Sequence, residues 1–433
     1  MPRSLSSLRQ RLDTRKRLRQ PSGFRIALAD SIALMPAAWD EIAGHASWFF
    51  SRDYCTMLER VPPEVIEPRY ALIADAEGPL ALVMLQWAEI EGRRLRSTPD
   101  IDDGDSKDVS PLRKLLGGIG QSAKRAVVSS LRERVLVCGN LLTYGQHAVA
   151  VAPGVDPGSL WPAIAEVIYR VRRAEKLAGQ AGFVLVKDLE AAHLDESQLL
   201  KGLSYRPVET EPNMVLQLDP RWKTHDDYLG SLTSKYRSAV KNQVIQPIAK
   251  AGLEVRGFDV HPDMAPALHG LYLQVHRNAK LRPFTLHPDY FSALFAAAGE
   301  RCRFAGVFDG QRLLGFIATL LDGEQAIAYH IGFERQPDVP LPLYLRLLHA
   351  SINDAIALGA REVSFGRTAL EPKARLGAKP RELHVWARHR NPVFNRMIHP
   401  LLGFAQHDEA PETNPFKSDT VSGKVSSAVT MKV

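Results

Sequence analysis

A pattern that occurs twice constrains the fold of this 433-residue chain more than any single motif does. Residues 69–73 form a short apolar run, Asp75-Ala76-Glu77-Gly78 is a turn, and residues 80–89 are a second run rich in β-formers. Much later, residues 302–308, the turn Asp309-Gly310-Gln311 and residues 313–321 repeat that design. A further turn at Asp322-Gly323 then leads into residues 326–333. Acidic-glycine turns between apolar runs predict antiparallel hairpins, because glycine supplies the positive φ that tight turns demand. Helical material precedes each hairpin: residues 36–44 and 53–60 in the first case, 264–278 and 290–298 in the second. His261-Pro262-Asp263 and His287-Pro288-Asp289 open the latter two and suit helix starts, so these histidines read as helix-start residues rather than metal ligands. A long helix and another strand follow each hairpin, residues 161–177 then 182–187, and 343–358 then 362–365. The order helices, hairpin, helix, strand, found twice, predicts a mixed α/β fold built from two units of one architecture.

The length suits two or three domains. With 45% hydrophobic and 24% charged residues the chain can bury ordinary cores, which excludes wholesale disorder. Cys55, Cys138 and Cys302 lie too far apart for a disulfide framework or a CxxC site, and a reducing cytoplasm fits them. No run of about 18 uncharged apolar residues is present, so no membrane-spanning helix is expected. The net charge of +7 is concentrated at one end, since residues 1–24 carry seven basic side chains against one acid. The remainder is close to neutral, and a nucleic-acid partner is therefore not expected.

Residues 1–24 read as a basic tail, either solvated or, through Leu5, Leu8 and Leu12 on one helical face, laid on an anionic membrane surface. Residues 25–215 form the first unit, with an insertion at about 97–134. That insertion pairs an acidic loop (100–105) with a basic amphipathic helix (110–134), which either covers a core or receives a membrane or an amphiphilic substrate. Residues 216–407 form the second unit, and 408–433 a polar tail.

Gly118-Ile119-Gly120-Gln121-Ser122-Ala123 matches GxGxxA but follows Arg113-Lys114-Leu115-Leu116 rather than a strand, so it does not aim a helix at a dinucleotide. GxxxxGK[ST], HExxH and GxSxG are all missing, which removes P-loop, zincin and esterase-type chemistry, and no metal site is expected. Three clusters remain. Residues 228–241 (YLGSLTSKYRSAVK) put Lys235, Arg237 and Lys241 beside an apolar stripe containing Tyr236, either a solvated face or a holder of phosphate or carboxylate oxygens. Tyr329-His330-Ile331-Gly332 ends a central strand, where a histidine is either a core residue or a general base. Residues 365–381 (FGRTALEPKARLGAKPR) run from a strand into a glycine-punctuated loop with five basic residues and one acid, a density that suits anion binding.

These segments resemble a known family. The order from 302 to 365 is similar to the core of GNAT N-acyltransferases, and the pair of units resembles the tandem arrangement of Fem-type peptidoglycan-bridge aminoacyltransferases. Residues 228–241 resemble the basic helix that opens the second domain in that group. Phe365-Gly366-Arg367 resembles its strand end, and Lys373 and Gly377 the Lys and Gly that follow. Residues 135–145 (VLVCGNLLTYG) resemble a first-domain strand of acetyltransferase-like relatives. The resemblance implies tandem GNAT-like domains and transfer of an acyl group, acetyl or longer, from acyl-CoA to an amine or hydroxyl of a small-molecule, lipid or cell-envelope precursor. It equally admits a Fem-type aminoacyltransferase acting on a peptidoglycan precursor, or a non-catalytic binding protein on a degenerate fold. It implies a bacterial, cytoplasmic protein, peripheral at most to the inner membrane face. By the resemblance the reacting carbonyl sits where the backbone parts near His330 to Gly332. His330 would act as base and Glu371 in support, while Tyr236, Arg237, Lys241, Tyr329, Arg367, Lys373 and Gly377 would bind substrate. One departure stands out. The stretch that should offer glycine N–H groups to the coenzyme A pyrophosphate is residues 334–342, with Pro337, Pro340 and Pro342 and no glycine.

Overall fold

The computed structural model describes residues 21–91, 132–175, 181–278, 284–335, 341–396, 398, 411 and 413–417. Nearly all of the insertion at 97–134 and of the basic N-terminal tail lies outside the described residues.

The first repeat contributes β1 (Arg25–Ala29), α1 (Ala38–Ala43), α2 (Arg52–Arg60), β2 (Ile66–Ala74), β3 (Pro79–Glu91), β4 (Arg132–Cys138), β5 (Val149–Val151), α3 (Pro157–Ala174), β6 (Phe183–Leu189) and β7 (Arg206–Gln217). The second begins with α4 (His225–Ser231), α5 (Ser234–Val240), β8 (Glu254–Phe258), α6 (Ala265–His276), α7 (Tyr290–Ala298) and β9 (Cys302–Asp309). It continues with β10 (Arg312–Asp322), β11 (Gln325–Phe333), α8 (Leu343–Ala357), β12 (Glu362–Ser364), α9 (Leu370–Arg375) and β13 (Lys379–His389).

All strands join one sheet in the order β1-β2-β3-β4-β6-β13-β7-β12-β11-β10-β9-β8, with β5 beside β3. Read inward from either edge, the order is the same. Four strands run antiparallel, and the fifth pairs parallel with the fourth, β6 with β4 and β12 with β11. A parallel neighbour requires a crossover, and α3 and α8 supply it. At the centre the last strands trade places: β13 of the second repeat pairs with β6 of the first, and β7 of the first pairs with β12 of the second. The boundary expected at 215/216 thus falls inside a strand that completes the second repeat.

Alternation along the strands creates two faces. From β3, Leu82 and Met84 enter a core shared by both repeats, where Trp39, Phe49 and Tyr54 meet Tyr290, Phe291 and Phe316. Val83, Leu85 and Trp87 point the other way, under α3, while Ile317 and Ala326 pack under α8. The fit on the shared face is tight. A Cβ at Gly332 would lie 2.6 Å from the backbone nitrogen of Tyr272 and 2.8 Å from the carbonyl carbon of Leu271, so only glycine lets α6 cross β11 there.

α4 is fixed to α8 by paired imidazoles, His225 Nε2 lying 3.0 Å from His349 Nδ1. Burial holds His225 down at about 4, His349 well below the usual range, and His330 at about 3. Their folded values lie below the unfolded value near 6.5, so the unfolded chain takes up protons first as pH falls. Their contribution is intact above about 6.5 and lost towards 4, at roughly 1.4 kcal/mol per pH unit for each histidine. Asp354, pushed up to about 6 by burial, works in the opposite sense and offsets one of the three. The urea midpoint should therefore fall clearly between pH 7 and pH 4.5, and an unchanged midpoint would contradict these burials.

Candidate active site

The parallel pairing of β11 with β12 lasts from Gln325↔Glu362 to Ile327↔Ser364 and then stops. β12 turns away to β7: Phe365 N–H donates to the Met214 carbonyl (2.8 Å) and Met214 N–H to the Gly366 carbonyl (3.1 Å). β11 runs on to Phe333 against β10, so the sheet opens between the two strands. Just past the last pair β11 bulges, because Ala318 pairs with His330 but Thr319 with Ala328, leaving Tyr329 as the extra residue. Tyr329 and His330 therefore both reach α7. The Tyr329 and Tyr290 hydroxyls are 3.0 Å apart, and the His330 ring lies edge-on to Tyr290 and Phe291 at 5.4 and 5.8 Å. His330 Nε2 is buried with no hydrogen-bond partner among the described residues. With its proton affinity so depressed, this imidazole is a neutral hydrogen-bond group at pH 7 rather than a base matched to that pH.

The first repeat shows the same plan with a different insert. Its parallel pair ends at Cys138↔Val186, and where the second repeat has one extra residue the first has residues 139–148, after which β5 resumes along β3. That loop, with buried Asn140 and Thr143, fills the opening.

At the end of β12, Gly366 has φ 75° and faces Tyr144, whose ring carbon would be 2.8 Å from any Cβ there. Its N–H and the Ser364 hydroxyl both donate to Asn213 Oδ1 at 3.0 Å. At the equivalent point of the first repeat Asp188 has φ 58° and is fully buried. Its carboxylate accepts from Lys187, from Gly145 N–H (3.2 Å) and from Arg367 of the other repeat. Arg367 and Lys187 both sit over the Tyr144 ring, at 5.4 and 5.7 Å. The Arg367 charge is thus already matched within the protein, which the sequence did not reveal.

Lys373 is 3% exposed, and its ammonium donates to the Gly366 carbonyl at 3.2 Å. Burial holds it down at about 7. Glu371 is exposed, in an ion pair with Arg375 one turn along α9 (2.6 Å). Tyr236 and Arg237 are half-buried on α5, and Lys241 is exposed at the head of a π-helical turn, Lys241–Ile245, that packs on α8. Pro247 explains this turn: it has no N–H for the Gln243 carbonyl, so the helix widens. Among the described residues, none of Tyr236, Arg237 and Lys241 bonds to Arg367 or Lys373.

Gly377, with φ 95°, lies under the Phe416 ring, which occupies the space a Cβ would need. Residues 413–417, inside the stretch expected to be a polar tail, are held in place. Thr233 N–H donates to the Pro415 carbonyl (2.9 Å), Lys417 N–H to Ser231 (3.0 Å) and the Thr413 hydroxyl to Ala374 (2.5 Å). Sequence reasoning missed Asn213, Lys187, Asp188 and Tyr144; laying the strand end VKDL over FGR would have paired Asp188 with Gly366. Among the described residues, no group of three or more His, Cys, Asp or Glu is placed to hold a metal, and no helix is long and apolar enough to cross a membrane.

Residues 234–374 match the sequence profile described as the acetyltransferase (GNAT) domain. The core of the second repeat is thus similar to the GNAT domain, and the strand order of that repeat recurs in the first. Among solved structures, FemX is 11% identical, covering 93% of this chain and 99% of that one with a TM-score of 0.44. L-PGS from Bacillus licheniformis is 10% identical over 80% and 95%, also at 0.44. A tandem GNAT protein from the clavulanic acid biosynthesis pathway is 11% identical over 85% and 99%, again at 0.44. Likenesses this distant carry neither substrate nor mechanism across. No curated protein matches the chain.

The residues present do not fit a coenzyme A pyrophosphate held in the usual way. The three prolines between β11 and α8 supply no N–H, and the α8 N-cap is Pro342, without a capping side chain.

Proposed function

We propose that the protein is an acyltransferase that moves an acyl group from an activated donor, a thioester or ester, to an amine or hydroxyl at the opening between β11 and β12. The observation that supports this most is the Tyr329 bulge at the parting of β11 from β12, within the GNAT-matched segment. A bulge leaves backbone groups unpaired, and an N–H there can face the oxyanion formed when a nucleophile adds to the carbonyl. His330 and Tyr329 line the acyl site, and the nucleophile's proton leaves with the departing thiolate or alkoxide. Arg237, Lys241 and Tyr236, together with Lys373 at the strand end, hold the anionic part of the donor in place of the glycine-rich loop, and Gly377 frames that end. The acceptor is a small molecule, lipid or cell-envelope precursor, met in the cytoplasm or at the inner membrane face.

The test is mass spectrometry of ligands retained on the purified protein, followed by transfer from acetyl-CoA to a panel of primary amines and alcohols. Acetylated product supports the reading. Transfer from aminoacyl-tRNA alone would move it to the Fem type, and no transfer from either donor would leave only a binding protein.

A further inference from the structure

The shared core contains a row of polar groups that its apolar surroundings do not call for. Gln86 of β3 and Asn140 of the loop after β4 are almost wholly buried, as are Tyr54 of α2 and Tyr290 of α7. Buried polar atoms must find partners, and here they find each other. Gln86 Oε1 accepts from Leu141 N–H (2.7 Å), so its amide nitrogen is the end that reaches Asn140 Oδ1 (3.3 Å). Asn140 Oδ1 also accepts from Leu142 N–H (3.0 Å), which fixes its amide and leaves Nδ2 to donate to the Tyr54 hydroxyl at 2.8 Å. Tyr54 oxygen is therefore an acceptor, and it faces the Tyr329 hydroxyl. Tyr329 in turn meets Tyr290 at 3.0 Å. The Phe49 ring packs on both Tyr54 and Tyr329, at 4.8 and 5.6 Å, and closes the group from the side.

Three of these residues come from the first repeat, and in the second the row reaches the extra residue of the bulge before it ends on Tyr290. The loop that closes the first repeat's own opening thus supplies Asn140, the group that sets the direction of the row. A bulge is one of several local arrangements open to a strand, and a fixed polar partner for its extra side chain selects one of them.

We propose that Tyr54 is a positioning residue for transfer at the second repeat: through the hydroxyls of Tyr329 and Tyr290 it fixes the bulge that parts β11 from β12. The inference rests on the reading under Proposed function and gives the first repeat a part in it. Neither Tyr54 nor Tyr290 needs to touch substrate.

The test compares Tyr54→Phe and Tyr290→Phe with the wild type, using acetyl-CoA and whichever acceptor the panel identifies. For both variants kcat should fall roughly tenfold or more while the KM for acetyl-CoA stays within about twofold, since the donor site is untouched. In parallel, the 15N and 13C resonances of the His330 imidazole should shift in both variants, because His330 is the neighbour of the released bulge. An unchanged kcat in both variants would overturn the proposal, as would an unmoved His330 spectrum. Should Tyr54→Phe fail to fold, Tyr290→Phe breaks the same row from within the second repeat and decides alone. If the wild type transfers nothing, the functional reading fails, and the His330 spectrum still shows whether Tyr54 sets the bulge.

Discussion

Arg367→Ala is expected to lower the free energy of unfolding by roughly 3–5 kcal/mol, because it takes one of two cations from a fully buried carboxylate. Asp188 is fully buried at a left-handed φ, between Lys187 and Arg367, and Arg367 Nε is itself buried without a partner among the described residues. Lys187 remains beside Asp188 in the variant, also donating to the Thr143 carbonyl at 2.6 Å, so the loss should fall at the lower end of that range. Asp188→Asn is the informative second change, since asparagine tolerates the same backbone conformation. Each single variant should be destabilised, and the double variant should recover at least ~1 kcal/mol relative to the sum, as expected of neighbours sharing one network. Urea unfolding at pH 7 measures all four corners of the cycle. Additive losses would show that the pair does not couple the repeats. A guanidinium in this position is one of the bonds between them, so an anion-holding role for Arg367 has to be tested in variants that keep Asp188 satisfied.

The parts of the fold that were legible in the sequence are those fixed by local pattern. Strand 326–333 is observed as Gln325–Phe333, helix 343–358 as Leu343–Ala357, and the hairpin turns at Asp309-Gly310 and Asp322-Gly323 stand where glycine takes φ near 60°. β13 was hidden because Lys379, Pro380, Arg381 and Glu382 read as a basic loop; the segment becomes a strand only because β6 and β7 flank it on both sides. β7 carries Pro207 and Pro212, which weaken any local strand signal. The exchange of β7 and β13 is a property of pairing at long range, to which no window of sequence is sensitive. The same holds for the site. Arg367 and Lys373 were visible as charge in a glycine-punctuated loop, whereas the partner of Arg367 lies 179 residues away and is an acid at a strand end. Phe416 sits in a segment whose polar composition conceals one apolar anchor. Its seat on Gly377, between Trp222 and Tyr228, depends on contacts that only the folded chain brings together.

Lys373→Met is expected to stabilise the protein at neutral pH and to weaken anion binding at the same time. The lysine is 3% exposed, has the Gly366 carbonyl as its hydrogen-bond partner, and draws on Glu211 as its opposing charge. Burial pulls it from 10.5 to about 7, so between those values the unfolded chain holds a proton that the folded chain has released. Wild-type stability therefore rises with pH across that window, and the penalty is complete below about 7, at roughly 1.4 kcal/mol per unit of displacement. Methionine fills a similar volume without the charge, so the variant should be more stable than the wild type by at least ~2 kcal/mol at pH 6. The difference should fade towards pH 10.5, and denaturant titrations at pH 6, 8 and 10 will follow it. A variant less stable at every pH would mean that the amine is satisfied where it lies. A buried cation with one carbonyl partner lacks a close opposing charge, and an anion would supply it. A negative group brought beside Lys373 raises its proton affinity again, so binding should draw about one proton from the buffer near pH 8. Titration calorimetry of wild type with acetyl-CoA in two buffers of different ionisation enthalpy measures that uptake, and in Lys373→Met it should vanish together with most of the affinity. Binding without proton uptake in the wild type would place the anion elsewhere and leave the buried lysine a structural residue.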